Sequence, residues 1–301
     1  MAHVHHFTYG LITLLLAYAV SVLGCLLGLI CTARARDTYR VAARVRWLAL
    51  GSVSIGGTGI WLMHFLAMLG FTVSNTFVFY DPALTALSAL MAVGIVAVGI
   101  FVVGLGQPSM LKVLVGGVVT GLGVAGMHFT GMAAMRVLDG EVMYNPALVA
   151  TSVVIAVVAA TVALWFTIVI KSRPALAAAS PIMAIAVTGM HYIGMFAAKV
   201  REIGGRGRVE GVDVTTLLIP SAVIVGTVLI ALLYATLSAP AAEERAAEAL
   251  MTRLLYASED MQPPPAARPT RATMRTQLRH RVAFRDAQTT DSDAPATSVP
   301  R

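Results

Sequence analysis

Seven stretches of this 301-residue chain are each long and apolar enough to cross a bilayer, and that decides its fold class before any single residue is considered. They run over about residues 7–31, 47–69, 83–105, 111–135, 147–170, 176–198 and 215–238. Each reaches the roughly 20 predominantly apolar residues that a hydrocarbon core requires. The composition agrees: 57% of residues are hydrophobic, 12% are charged and the mean hydropathy is +0.79, a balance foreign to a water-soluble domain of this size. The sequence therefore predicts an all-α membrane protein. The first span is read as a retained helix, because it is too long for the apolar core of a cleaved signal and its arginines follow it.

The net charge of +7 does not point to nucleic acid, because the basic residues are arranged as a topology signal. Arg34, Arg36, Arg40, Arg44 and Arg46 follow the first span, Lys112, Lys171 and Arg173 lie in the third and fifth connections, and nine arginines lie in the tail. The opposite side holds Arg136, Lys199, Arg201, Arg206 and Arg208, a tally of 17 against 5. The excess of Lys and Arg on cytoplasmic loops then places the N-terminus outside and the C-terminus in the cytoplasm.

Within this frame the phrase Met-His-aromatic-x-small-Met recurs three times, each time near the end of an apolar span. The copies are Met63-His64-Phe65-Leu66-Ala67-Met68, Met127-His128-Phe129-Thr130-Gly131-Met132 and Met190-His191-Tyr192-Ile193-Gly194-Met195. A histidine in such a segment is costly, since its ring must find a partner where no water is available. The second, fourth and sixth spans run in the same direction, so all three motifs fall at the outer end.

The motif belongs to a longer repeat. At an offset of 64 residues, Gly59, Met63, His64, Phe65, Met68, Tyr80, Pro82, Ala83 and Leu84 fall on Gly123, Met127, His128, Phe129, Met132, Tyr144, Pro146, Ala147 and Leu148. The match covers a helix, its outer loop and the start of the next helix, which is a duplicated helix pair. The third copy follows after 63 residues and lacks the Tyr-x-Pro element. The expectation is three two-helix repeats, spans 2–3, 4–5 and 6–7, with the first helix added. Asp81-Pro82 and Asn145-Pro146 read as helix starts, with Asp or Asn as N-cap and proline at the first helical position.

Residues four apart share a helix face. His64 with Met68, His128 with Met132, and His191 with Met195 can therefore each offer an imidazole nitrogen and a thioether sulfur in one direction. Met63, Met127 and Met190 project about 100° away around the helix. Neutral imidazole and thioether, without thiolate or carboxylate, suit copper, especially Cu(I). The candidate metal ligands are thus Met63, His64, Met68, Met127, His128, Met132, Met190, His191 and Met195, with haem on two of the histidines as the alternative cofactor. The competing structural reading is a tight packing seam built on the nearby glycines, in which His bonds across helices and Met fills gaps.

Other features carry less. Cys25 and Cys31 lie six apart in the first span, on different faces, and read as small packing residues. His3, His5 and His6 could gather a metal outside the membrane. Residues 239–261 hold an amphipathic cytoplasmic helix with Ala247, Leu250, Met251, Leu254 and Leu255 on one stripe, suited to the inner leaflet, a homodimer or a partner. Residues 262–301, opened by Pro263-Pro264-Pro265, form a basic tail expected to be disordered and to touch anionic lipid.

The three motifs at this spacing, with seven spans over residues 7–238, resemble the MHYT domain, a bacterial integral-membrane sensor module. The resemblance implies copper held by the Met and His of the motifs, sensing of a diatomic gas such as O2, CO or NO, and a place in the plasma membrane. The Met-His pairs match residue by residue, whereas tyrosine appears only at Tyr192 and threonine only at Thr130. MHYT domains commonly precede cytoplasmic enzymes that make or hydrolyse cyclic di-GMP, or a histidine kinase. About 60 residues follow the last span here, with no phosphate-binding loop or carboxylate constellation. The expectation is a non-enzymatic sensor that signals through a separate cytoplasmic protein. Copper transport or copper handling is the alternative.

Overall fold

The computed structural model describes residues 4–5, 8–74, 77–138, 140–202, 211–238, 250–254, 256 and 274–281. Among the described residues seven helices are long and apolar enough to cross a membrane: α1 Leu11–Arg36, α2 Val41–Met68, α3 Pro82–Gly104, α4 Met110–Ala133, α5 Pro146–Val169, α6 Arg173–Phe196 and α7 Val214–Ser238. The helix starts obey their caps. Asp81 Oδ1 accepts the amides of Ala83 and Leu84 at 2.9 and 3.1 Å, and Asn145 Oδ1 accepts that of Ala147 at 3.0 Å, with Pro82 and Pro146 opening α3 and α5.

Two boundaries differ from the sequence expectation, for one reason. α1 continues past residue 31 to Arg36, and α2 begins at Val41 rather than at 47. Arg34 and Arg36 need not lie in a loop, because their guanidinium groups find the free carbonyls at other helix ends. Arg36 donates to Thr167 and Ile168 carbonyls, each at 2.6 Å, and to that of Ile170, closing the end of α5. Arg34 donates to the Thr236 carbonyl near the end of α7 and lies over the Trp47 ring of α2, 5.3 Å from its centroid.

Helices α1 to α6 form a closed ring, each packing on the next and α6 on α1, while α7 packs on α1 and α2 from outside the ring. Three antiparallel two-stranded ribbons lie on one face. β1 Val4–His5 pairs with β2 Thr72–Val73, β3 Val78–Tyr80 with β4 Met135–Val137, and β5 Gly140–Tyr144 with β6 Ala198–Glu202. Each ribbon joins the strand that enters one helical hairpin to the strand that leaves it. The spatial unit is therefore strand, helix, helix, strand: α1 with α2, α3 with α4, α5 with α6. Matching amide bonds set the register, from Thr8 to the Gly70 carbonyl at 3.1 Å, Asp81 to Ala134 at 2.9 Å and Asn145 to Ala197 at 2.9 Å. Each acceptor stands two residues beyond the last methionine of a motif. Three two-helix repeats and one extra helix are present as expected, but α1 completes the ring and α7 is the added helix. A cyclic repeat can be cut at either joint, and no motif precedes α1 to align it.

α2 is not uniform. Val53–Leu62 are wound as a π-helix between α-helical Val41–Ser52 and Met63–Met68. Such wide turns are rare and occur mostly as single turns at functional sites. Here glycines let the widened backbone press on its neighbours: a Cβ on Gly56 would stand 2.6 Å from the Ala92 carbonyl oxygen of α3, and one on Gly24 of α1 only 2.4 Å from the Gly59 nitrogen. Hydroxyl groups from both sides bind the seam, Ser21 donating to the Gly59 carbonyl and Ser54 to that of Gly24, each at 2.8 Å.

Cys25 and Cys31 are buried free thiols in α1. Residues 241–301 form a separate unit, in which 250–254 and 274–281 are helical. The latter segment falls within the span expected to be disordered. Most of the amphipathic segment and the rest of the tail lie outside the described residues, as do His3 and His6.

Candidate metal centre

α2, α4 and α6 end on the ribbon face, and the pseudo-threefold ring turns their final faces toward one axis. This brings together three histidines that stand 64 and 63 residues apart in the chain. His64, His128 and His191 are each 1% exposed. Their rings stand as the blades of a propeller, with centroids 4.8 to 5.0 Å apart and planes crossing at 80 to 85°.

The inward atoms are nitrogens. His64 Nδ1 lies 2.9 Å from His191 Nδ1 and 3.1 Å from His128 Nδ1. A neutral imidazole carries one N–H and one in-plane lone pair, so a proton on His64 Nδ1 can point well at one neighbour only. The Nε2 atoms of His64 and His128 are buried and have no hydrogen-bond partner among the described residues. Placing the ring protons on Nε2 instead turns three lone pairs toward a common point, an arrangement that repels itself without a cation and that a cation satisfies. One nitrogen from each ring falls within 4.8 Å of the others. Three nitrogens sharing a metal at about 2.0 Å stand about 3.3 to 3.5 Å apart. The rings need only spread by a few tenths of an ångström, so the three histidines can hold a metal ion.

The small residue of the motif has a use that its sequence position alone does not reveal. A Cβ on Gly131 would sit 2.4 Å from His64 Nε2, and one on Gly194 2.2 Å from His128 Nε2. The glycine of each later motif thus makes room for the imidazole of the motif before it, and the rings are wedged between an adjacent backbone and the axis. The first motif carries Ala67 at this position, on the π-wound helix. The aromatic residue also reaches forward: Phe65 packs on Tyr80 and Phe129 on Tyr144, with centroids 6.2 and 5.9 Å apart. Burial pushes the Tyr80 hydroxyl well above its ordinary range, and Asp213 pushes it the same way. Tyrosine immediately precedes the N-cap of α1, α3 and α5, at Tyr9, Tyr80 and Tyr144, a signal of the spatial unit that the offset comparison caught only for the latter two.

All six candidate methionines, Met63, Met68, Met127, Met132, Met190 and Met195, are at most 2% exposed. Haem on two of the histidines does not fit, because rings in mutual contact leave no gap for a macrocycle between them. His5 is described only as backbone in β1, paired with Thr72, so the N-terminal histidine cluster is not described as a site.

Sequence comparison agrees with this architecture. The MHYT repeat, described as the bacterial signalling protein N terminal repeat, matches residues 57–117 and 121–180. Each match starts just before a motif and runs through the next hairpin joint, and the third motif follows the second match. The chain is 39% identical over 158 residues to the bifunctional diguanylate cyclase/cyclic di-GMP phosphodiesterase MucR of Pseudomonas aeruginosa, covering 51% of this chain and 23% of that protein. It is 36% identical over 157 residues to the cyclic di-GMP phosphodiesterase NbdA of the same organism, covering 50% and 20%. With the signaling protein YkoW of Bacillus subtilis the identity is 33% over 161 residues, covering 50% and 19%. The chain thus matches about a fifth of the length of these relatives. No solved structure matches it.

Proposed function

We propose that this chain, which belongs to the MHYT family of membrane signalling proteins, is a copper-containing sensor that responds to a diatomic gas or to copper itself. The observation that carries the reading is the convergence of the His64, His128 and His191 Nδ1 atoms on one buried point. Three neutral imidazoles with buried thioethers one turn away favour copper over hard cations, which need oxygen ligands. Bound there, copper supplies a redox-active centre able to take a small further ligand. The chain's own contribution is positional. His64, His128 and His191 donate Nδ1 lone pairs, Gly131 and Gly194 hold two of the rings from behind, and burial excludes water. Met68, Met132 and Met195 are the sulfur donors available on the histidine faces.

In this reading the ribbon face lies outside and the ends of α1, α5 and α7 lie at the cytoplasm, an orientation supported by the excess of basic residues at the latter ends. A change at the centre then passes down α2, α4 and α6 to a separate cytoplasmic output protein. That the relatives' printed names concern cyclic di-GMP synthesis and hydrolysis supports a signalling output of this class.

Metal analysis of the detergent-purified protein, with a Cu K-edge spectrum, tests the reading. Stoichiometric copper with nitrogen and sulfur scatterers is expected, and replacement of His64, His128 or His191 by Ala is expected to abolish it. Protein that stays free of copper after loading, or that keeps its copper in all three variants, refutes it.

A further inference from the structure

Ile60, Val124 and Val187 precede the three histidines by four residues each and so form the next layer on the same axis. Beneath the histidines these three side chains border a cavity of about 50 Å³, lined from all six ring helices. Met190, which adjoins His191, lines it too. Two hydroxyls line it: that of Thr167, nearer the far end, donates to the Leu164 carbonyl, and the buried Thr120 hydroxyl of α4 has no hydrogen-bond partner among the described residues. No charged side chain lines it.

A second cavity lies on the outside of the ring in the seam between α5 and α6. This groove, of about 330 Å³, is lined only by apolar side chains. Val154, Val158, Val162 and Ile182 in its wall are 37 to 62% exposed on the surface that faces lipid. Ala159 and Met183 line both the groove and the inner chamber. One alanine and one methionine therefore border both spaces, and methionine, unbranched with three rotatable bonds, is the side chain best able to swing aside.

We propose that a small, uncharged, apolar molecule of about two heavy atoms enters from the hydrocarbon core between α5 and α6, passes Met183, and lodges in the chamber one helical turn below the histidine cluster. The chamber exceeds the roughly 30 Å³ share of one water, yet a water seeks two to four polar partners and this lining offers few. An ion would enter a space with no opposite charge, at a desolvation penalty of many kcal/mol. An apolar diatomic meets neither obstacle and is already concentrated in lipid. The proposal deepens the gas-sensing reading and rests on it only for the identity of the guest.

Xenon is the probe, since it shares the size and apolarity of the guest without binding metal. The full-length protein in detergent is titrated with xenon and followed by 129Xe NMR, with and without copper. A saturable bound signal is expected in both states. Ala160→Val, which fills the chamber from α5, is expected to abolish that signal while leaving copper content unchanged. Met183→Ala should speed xenon exchange several-fold, and Ala159→Ile should slow it. Absence of saturable xenon in the copper-loaded protein, or an undiminished signal in folded Ala160→Val, overturns the chamber. Unchanged exchange in both wall variants overturns the lateral route. Saturable xenon in protein that never takes up copper would sink the sensor reading and leave the chamber standing, so the two failures are distinguishable.

Discussion

Gly131→Ala tests the geometry of the centre without touching a ligand. The added methyl would start 2.4 Å from His64 Nε2 and 3.1 Å from its Cδ2, and the corresponding change at Gly194 starts 2.2 Å from His128 Nε2. Ordinary contact begins near 3.4 Å, so either ring must move by about 1 Å. Metal ligation tolerates displacements of about 0.2 Å, so the shifted ring leaves the ligand set or distorts it. Even disturbing a group that only supports a ligand lowers metal affinity by about 10- to 100-fold, and the loss here should reach or exceed the upper figure. The helix itself should not suffer, because alanine in a helix interior is favoured over glycine by roughly 0.5–1 kcal/mol. Gly189→Ala is the control: it lies in α6, two residues before His191, and a Cβ there meets nothing within 4 Å. Copper affinity of the purified variants, measured by competition with a chelator of known strength, should fall in the Gly131 and Gly194 variants and hold in the Gly189 variant. Unchanged affinity in both cradle variants, with the protein folded, would refute the claim that these glycines position the rings.

Arg36→Ala removes a fork that closes the end of α5, and loss of hydrogen bonds from a charged donor should destabilise the protein by about 1.5–3 kcal/mol. Arg36→Lys should recover only part of this, since a single ammonium cannot reach the three carbonyls as a planar guanidinium does; thermal unfolding in detergent reads both. Asp81 has its carboxyl held below the usual range by the Leu84 amide first, then by Arg136 at 3.0 Å. A depressed native value means that its contribution is present above the unfolded carboxyl pKa of about 3.9 and is lost as pH falls through the lower native value. Asp81→Asn, which imitates Asn145, should keep the cap and remove that pH dependence, whereas Asp81→Ala should lose both; acid unfolding curves that coincide for the three proteins would refute this. Finally, Tyr80→Phe should be better tolerated than Tyr80→Leu, because its ring packs on Phe65; the reverse order of melting temperatures would contradict that role.

The parts of this fold that were legible in the sequence are those enforced locally or by the solvent. Seven spans follow from the need for apolar length, and the starts of α3 and α5 follow from Asp81-Pro82 and Asn145-Pro146, whose side chains cap the next amides. Convergence of His64, His128 and His191 followed from one repeated phrase in three helices that run the same way. What escaped depends on neighbours distant in sequence. Arg34 and Arg36 read as loop residues because the carbonyls they serve lie more than 130 residues away. The π-wound stretch of α2 rests on glycines that look like packing positions in any membrane helix. The cradle role of Gly131 and Gly194 was hidden because each serves the histidine of a different motif.

The same cyclic order explains why three histidines meet at one point and why one sector differs from the others. A hairpin whose second helix ends in a histidine cannot satisfy that ring alone, since nothing apolar within the hairpin bonds to Nδ1. Three hairpins closed into a ring place three such atoms at one point, and the ribbons hold each helix end in register. Strict equivalence would require a glycine behind every ring, and two of the three positions comply. The exception, Ala67, stands on the only ring helix with a π-wound stretch, immediately before its motif. Ala67 is buried at 2% exposure, so its methyl is accommodated there, and we attribute the room to the widened turns that precede it. On this argument the π stretch and Ala67 are coupled. Ala67→Gly should therefore be nearly neutral for the centre, whereas Ala67→Gly placed together with Gly131→Ala should not rescue it, because the cradle of His64 is Gly131 and not its own motif's small residue. Recovery of copper binding in that double variant would overturn the cyclic assignment.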